Sequence, residues 1–329
     1  MRYGYFSDDM REYIITRPDT PSPWINYISN PRGFCGIVSQ TGGGFSFHQD
    51  PRDRRITKYR YNNVPVDRPG RYFYLRDEAS GDYWSPTWQP VMKPMEHYEC
   101  RHGLGYTLIT SEYAGPSGAK FSHETLYLVP QEEDCELWRL RVKNHSKEKK
   151  KLSVYSYAEL TMWCEPESRN IQWSLHLTKG SFDREMVVYN FIEPHPAFDM
   201  KANQHYVGDR PGFAFMGLSL PVLDYECVRD RFIGVYNSES NPDGVVNGKL
   251  TNSILRGGVG CASLRGSLEL APGEEKEIVV VLGYATEIGA AEDLKKRFSA
   301  PGTVEAELER VKSDWRNYLS TFTLQSPDR

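Results

Sequence analysis

Residues 135–160 read CELWRLRVKNHSKEKKKLSVYSYAEL, two β-rich runs separated by a polar segment. Leu137, Leu140 and Val142 carry the apolar side of the first run, HSKEKK is the turn, and KLSVYSYAEL is the return strand. This pattern predicts a hairpin with a solvated tip. A second hairpin is predicted over 262–285, where ASLRGSLEL, APGEEK and EIVVVLGYA follow one another. Pro272-Gly273 supplies its turn, a fixed φ followed by a free one. Upstream, AKFSHETLYLVP (119–130) alternates as well. Turn residues recur every 8–15 positions through most of the chain. Many short strands with Gly/Pro turns predict antiparallel sheets packed face to face, a mainly β fold.

The pattern changes at Thr286. EIGAAEDLKKRFSA (287–300) is rich in helix formers, and after Pro301-Gly302 the segment 303–322 reads TVEAELERVKSDWRNYLSTF. Val304, Leu308, Val311, Trp315 and Leu319 fall on one helical face. Acidic residues lie early, and Lys312 and Arg316 late, as the helix dipole favours. The expected division is a β-sandwich domain over 1–285 and a helical linker over 286–329.

The 329 residues carry a net charge of -4 and include 21 tyrosines and 7 tryptophans. A dedicated nucleic-acid binder would carry a dense basic stripe, whereas the basic residues of 52–60 are local. No run approaches the roughly 18 apolar residues of a membrane span. The charged run MRYGYFSDDMREYIITRPD gives no expectation of a signal peptide, so a cytoplasmic protein is expected. Cys35, Cys100, Cys135, Cys164, Cys227 and Cys261 form no CxxC pair and read as reduced, mostly buried thiols.

Signals for chemistry are sparse. There is no GxSxG, and no cysteine has the setting of a nucleophile. His97 and His102 stand five apart, which on a strand puts them on opposite faces, so no metal site is expected. TGGGFSF (41–47) lacks the Lys-Ser/Thr of a phosphate loop and reads as a bend between strands. Asp82, Glu99, Glu159 and Glu165 are acids on or near strands, each read by default as solvated.

Three stretches are rich in polar side chains beside aromatic ones. TKYRYNNVPVDRPGRYFYLRD (57–77) holds Arg60, Tyr61, Asn62 and Asn63 before a Val-Pro turn. It reads as a half-exposed ribbon on which Tyr72 and Tyr74 pack. YECRHGLGYT (98–107) holds Arg101 and His102. WCEPESRNIQW (163–173) holds Arg169, Asn170, Gln172 and Trp173. Flat rings with guanidinium and amide groups suit a sugar, because rings stack on its faces and bidentate groups bind hydroxyl pairs. A plain polar loop is the alternative for each.

REYIITRPDTPSPWINYI, YRYNNVPVDRPGRYFYLRD, YWSPTWQPV and YECRHGLGYT, in that order, resemble the N-terminal region of the cellobiose phosphorylases of glycoside hydrolase family 94. The resemblance continues more loosely through LYLVP, VKNHSKEKKKLSVYSY and VRDRFIGVYN to DWRNYLSTF. It implies a large antiparallel sandwich of the supersandwich type, then linker helices, then a catalytic (α/α)6 barrel that this chain lacks. The implied reaction is phosphorolysis of a β-linked gluco-disaccharide or oligosaccharide to α-glucose 1-phosphate with inversion. Inorganic phosphate is the co-substrate and no cofactor is used. The implied general acid lies in the barrel, and the barrel sits in the same or a separate chain. A homodimer is implied, with the sandwich supporting the acceptor side of the cleft. Family members usually read Asn-Phe-Gln-Arg at the position of Asn170 to Trp173, with the Arg near the acceptor sugar. Asn170 and Gln172 match and Trp173 replaces the Arg, which removes a charge and adds a stacking face. A longer oligosaccharide end or another β-linked disaccharide is then the acceptor to expect. A stand-alone carbohydrate-binding or scaffold protein is the alternative reading, with a complete enzyme of another class as a remote third. Sugar binding by this chain alone separates the stand-alone reading from the first.

Overall fold

The computed structural model describes residues 3–51, 54–60, 64–162, 178–191 and 212–322. Its strands form three antiparallel sheets, of eleven, five and three strands among the described residues. The large sheet centres on Lys120–Leu128, Cys135–Asn144 and Glu275–Ala285. The five-stranded sheet centres on Lys150–Ala158, between Gly260–Leu270 and Tyr72–Asp77. Ile25–Ser29, Phe34–Ser39 and Ser46–His48 make the small sheet. Trp138, Leu140 and Val142 from the large sheet share a core with Phe73, Leu75, Leu152 and Val154 from the five-stranded one. The architecture is the mainly β sandwich expected from the turn spacing.

Neither predicted hairpin exists. Cys135–Asn144 pairs with Lys120–Leu128 and with Glu275–Ala285 in the large sheet. Lys150–Ala158 pairs with Gly260–Leu270 and Tyr72–Asp77 in the other. Both polar turns are therefore corners that carry the chain across the sandwich. The geometry permits this: packed sheets lie about 10 Å apart, and a five-residue segment spans up to roughly 17 Å. Asn144 holds the two corners together. Its buried amide donates to the carbonyls of Glu148 (2.9 Å) and Leu270 (3.0 Å). Its backbone carbonyl accepts from Gly273 N at 2.8 Å, and its backbone N–H donates to Glu274 O at 3.0 Å.

The ribbon at 72–77 also differs from the half-exposed form expected. Tyr72 and Tyr74 are fully buried with Tyr155 and Tyr157 beneath Phe232 and Ile233 of the short helix Arg229–Ile233. The sheet therefore has apolar packing on both faces. The turn at Thr41–Gly44 is the bend that was expected. Gly44 has φ +112°, and a Cβ there would lie 1.9 Å from the carbonyl oxygen of Ile37.

The two helices form where helix-forming composition and the apolar periodicity place them, at Ile288–Phe298 and Thr303–Leu319. They lie on the outer face of the large sheet. Ala291, Phe298, Val304 and Leu308 pack there with Leu126, Leu137, Phe215 and Val279. Arg139, almost fully buried, donates from that face to Glu124 and to Glu305 of the long helix.

Two histidines, His123 buried and His102 half-buried, join the sheets. The His123 Nε2 accepts from the Trp84 indole at 3.0 Å. Its Nδ1–H therefore donates to Ser111 Oγ at 3.1 Å, and Ser111 donates to the Pro86 carbonyl. This links the large sheet to the Tyr83–Trp84 strand of the five-stranded sheet. His102 Nε2–H donates to the carbonyl of Trp24 and Nδ1 accepts from Thr107 Oγ1, both at 3.0 Å. Burial pushes the pKa of His102 down to about 4 and that of His123 down to about 3. Five cysteines, Cys35, Cys100, Cys135, Cys227 and Cys261, are buried and free, as expected, while Cys164 lies outside the described residues.

Two outcomes follow. Asn144→Ala removes the donor to the buried Leu270 carbonyl and to the part-buried Glu148 carbonyl and is expected to cost about 2–3 kcal/mol in denaturant unfolding. Both histidines have folded pKa values below the unfolded value of about 6.5, so the unfolded chain takes up protons first. Stability is then full above about pH 6.5 and falls by several kcal/mol towards pH 4. His123→Gln should flatten that slope in guanidinium titrations at pH 7 and 4.5.

Candidate functional site

Among the residues singled out in the sequence, Arg60 sits in a cluster of charges at one end of the five-stranded sheet. The cluster forms where residues 56–58 run beside 159–161: Lys58 N–H donates to Glu159 O at 2.8 Å and Thr161 N–H to Ile56 O at 3.0 Å. Glu159 follows directly on the Lys150–Ala158 strand, and its side chain is fully buried. Oε2 accepts from Arg60 Nη2 at 2.5 Å, and Oε1 from Arg229 Nε at 2.6 Å and the Tyr157 hydroxyl at 3.0 Å. Glu239 closes the ring, accepting from Arg229 Nη2 at 3.1 Å and Arg60 Nη1 at 3.4 Å.

Glu159 is thus not the solvated acid expected of it. Burial alone would raise its pKa, but Arg60, Arg229 and Lys58 outweigh burial and hold it below the ordinary carboxylate range. A carboxylate so held cannot serve as a general acid, which must carry a proton at working pH. Its role is to bind three chain segments together, and the Arg60 guanidinium is engaged in that task. Arg229 and Glu239 were missed in the sequence because they stand 70 and 80 positions from Glu159, with nothing local to mark the contact.

Arg101 and His102 lie elsewhere, on the His97–Gly103 strand of the large sheet. As neighbours on a strand they point to opposite faces. Both ring nitrogens of His102 are engaged in the joint to Trp24 and Thr107. Arg101, half-exposed, pairs with Glu99 (2.7 Å) and Glu12 (2.9 Å). Tyr61, Asn62, Asn63, Arg169, Asn170, Gln172 and Trp173 lie outside the described residues, as does Glu165.

Arg101 stands behind an open cleft. Glu12 accepts from Arg101 on one oxygen and from the Tyr106 hydroxyl on the other. Glu12 and Tyr106 line a cleft of about 440 Å³ together with Asp9, Arg11, Trp315 and Arg316. The far wall belongs to the last turns of the long helix, beyond the part that packs on the sheet. Trp315 and Leu319 continue the apolar helical stripe predicted from the sequence, but Trp315 is only half-buried and Leu319 is exposed. The sequence marked the stripe and not where the sheet beneath it stops. Among the described residues no group of three or more His, Cys, Asp or Glu side chains could hold a metal ion.

Comparison with known proteins adds the family. The N,N'-diacetylchitobiose phosphorylase of Vibrio proteolyticus is 35% identical over 100% of this chain, and that of Vibrio furnissii 34% identical over the same share. The solabiose phosphorylase of Paenibacillus borealis is 29% identical over 99% of the chain. The chain spans 39% of the length of each Vibrio relative and 40% of that of the solabiose phosphorylase. The model of the glycosyl hydrolase 94 supersandwich domain matches residues 11–301. With that match across the three-sheet fold, this chain belongs to glycosyl hydrolase family 94 and comprises its supersandwich domain.

Proposed function

We propose that the chain is the sandwich-and-helix portion of a disaccharide phosphorylase. The whole protein cleaves a β-linked disaccharide with inorganic phosphate and releases a sugar 1-phosphate with inversion. The observation that carries this reading is that family phosphorylases align along the entire chain while being more than twice its length. N,N'-diacetylchitobiose is the first substrate to test, because the relatives so named have the higher identities quoted above. A gluco-disaccharide such as cellobiose is the second.

In this reading the general acid and the phosphate site belong to a catalytic barrel, in the same or a separate chain. The sandwich supports the acceptor side of the cleft and a homodimer contact, in the cytoplasm, with no cofactor besides the co-substrate phosphate. Arg60, bound to Glu159 and Glu239, fixes the backbone from which Tyr61, Asn62 and Asn63 follow. Arg169, Asn170, Gln172 and Trp173 supply the acceptor contacts, with Trp173 offering a ring face in place of a guanidinium. Such a division suits a reaction in which phosphate replaces the water of an inverting hydrolase and one carboxylic acid protonates the leaving oxygen.

The test is phosphorolysis of N,N'-diacetylchitobiose and of cellobiose, read as sugar 1-phosphate release. This chain alone is expected to give none above background, and a longer form carrying the barrel is expected to turn over one of the two. In that longer form, Asn62→Ala with Asn63→Ala should lower turnover and leave the melting temperature unchanged. Turnover by this chain alone, or by neither form, would reject the reading.

A further inference from the structure

We propose that the cleft between the 9–12 segment and the end of the long helix is a saccharide-binding site in its own right. It goes beyond the acceptor-side role proposed above. Its volume of about 440 Å³ falls within the roughly 300–1,000 Å³ of small-molecule sites. Its lining is mixed. The long helix contributes the Trp315 indole and Arg316, the sheet contributes the Tyr106 ring, with Lys312 Nζ 5.3 Å from its centroid, and the 9–12 segment contributes Asp9 and Arg11.

A sugar ring combines the same two chemistries, with an apolar C–H face and a rim of hydroxyls. Trp315 offers the flat surface, and neither its indole N–H nor the Arg11 guanidinium has a hydrogen-bond partner among the described residues. A wholly apolar occupant would strip water from Arg11, Arg316 and Asp9 without replacing it, which is unfavourable.

The backbone makes room for this arrangement. Gly105 has φ +81°, and a Cβ there would lie 2.7 Å from Trp315 Nε1. Only glycine lets the turn between the His97–Gly103 and Tyr106–Ala114 strands sit against the indole. A second hollow of about 300 Å³ also has Trp315 in its lining, with Asn30, Gln131 and Tyr318. The indole therefore borders two depressions, which suits a ligand longer than one sugar. The ligand class assigned is a short oligosaccharide, and trimers of the two sugars tested under the proposed function are its probes.

The test is calorimetric titration of this chain with cellotriose and with triacetylchitotriose, alongside Trp315→Ala and Arg11→Ala. Saturable binding of one trisaccharide is expected, reduced roughly tenfold or more by Trp315→Ala and several-fold by Arg11→Ala. Arg11 is exposed, so its variant tests the site without disturbing a core. Melting curves show whether Trp315→Ala remains folded. No saturable heat, or binding that both variants retain, overturns the proposal. In a longer, active form, Trp315→Ala should leave disaccharide phosphorolysis unchanged, so this site and the proposed function can fail independently. Trp315 shielded from acrylamide quenching in that form would also overturn the proposal.

Discussion

The interaction on which the rest of the sandwich depends is a buried ion pair, Arg71 with Glu136. Arg71 Nε meets Glu136 Oε1 at 2.8 Å, with both side chains almost wholly removed from water. Glu136 belongs to the large sheet, Arg71 directly precedes the Tyr72–Asp77 strand, and Ser46 begins a strand of the small sheet. Ser46 Oγ accepts from Arg71 Nη2 and donates to Glu136 Oε2, both at 2.6 Å. The Trp138 indole donates to Glu136 Oε1 at 2.7 Å, and Arg71 Nη1 donates to the Ile37 carbonyl at 2.9 Å. One carboxylate and one guanidinium thus fix where all three sheets meet. Apolar packing alone, being non-directional, would let them slide. A buried pair gives little net stability, but losing one partner strands a charge in the core.

Similar polar joints recur around that centre. His123 links the large sheet to Trp84, His102 links it to Trp24, and Asn144 holds the two corners where strands change sheets. Glu159 does the same at the far end of the five-stranded sheet, among Arg60, Arg229 and Tyr157. The outer faces are closed by helices, the short Arg229–Ile233 over the tyrosines and the longer two over the large sheet. The cleft opens where the longest helix runs past the sheet that supports it.

Fold class was legible in the sequence because strand length, turn spacing and the helical stripe from Val304 to Leu319 are local properties. Strand pairing was not. HSKEKK and APGEEK have the composition of hairpin tips, and a sandwich corner uses the same polar, Gly/Pro-containing residues. What separates the two outcomes is the amide of Asn144 reaching Leu270, a contact across 126 positions. Burial of charge was hidden for the same reason, since nothing near Glu159 announces Arg229. The alternation of Tyr72 and Tyr74 did mark packing, though not the helix that covers them. Of the candidate sugar contacts, His102 has both nitrogens engaged in the fold, and Arg101 stands one residue behind the cleft.

The account's central claim is that Arg71 and Glu136 act as one unit joining the sheets. A double-mutant cycle of Arg71→Met and Glu136→Gln, followed by denaturant unfolding, tests it most directly. Each single variant is expected to lose about 3–5 kcal/mol, and the double variant to lose clearly less than their sum. Single losses below about 1 kcal/mol, or losses that simply add, would contradict it.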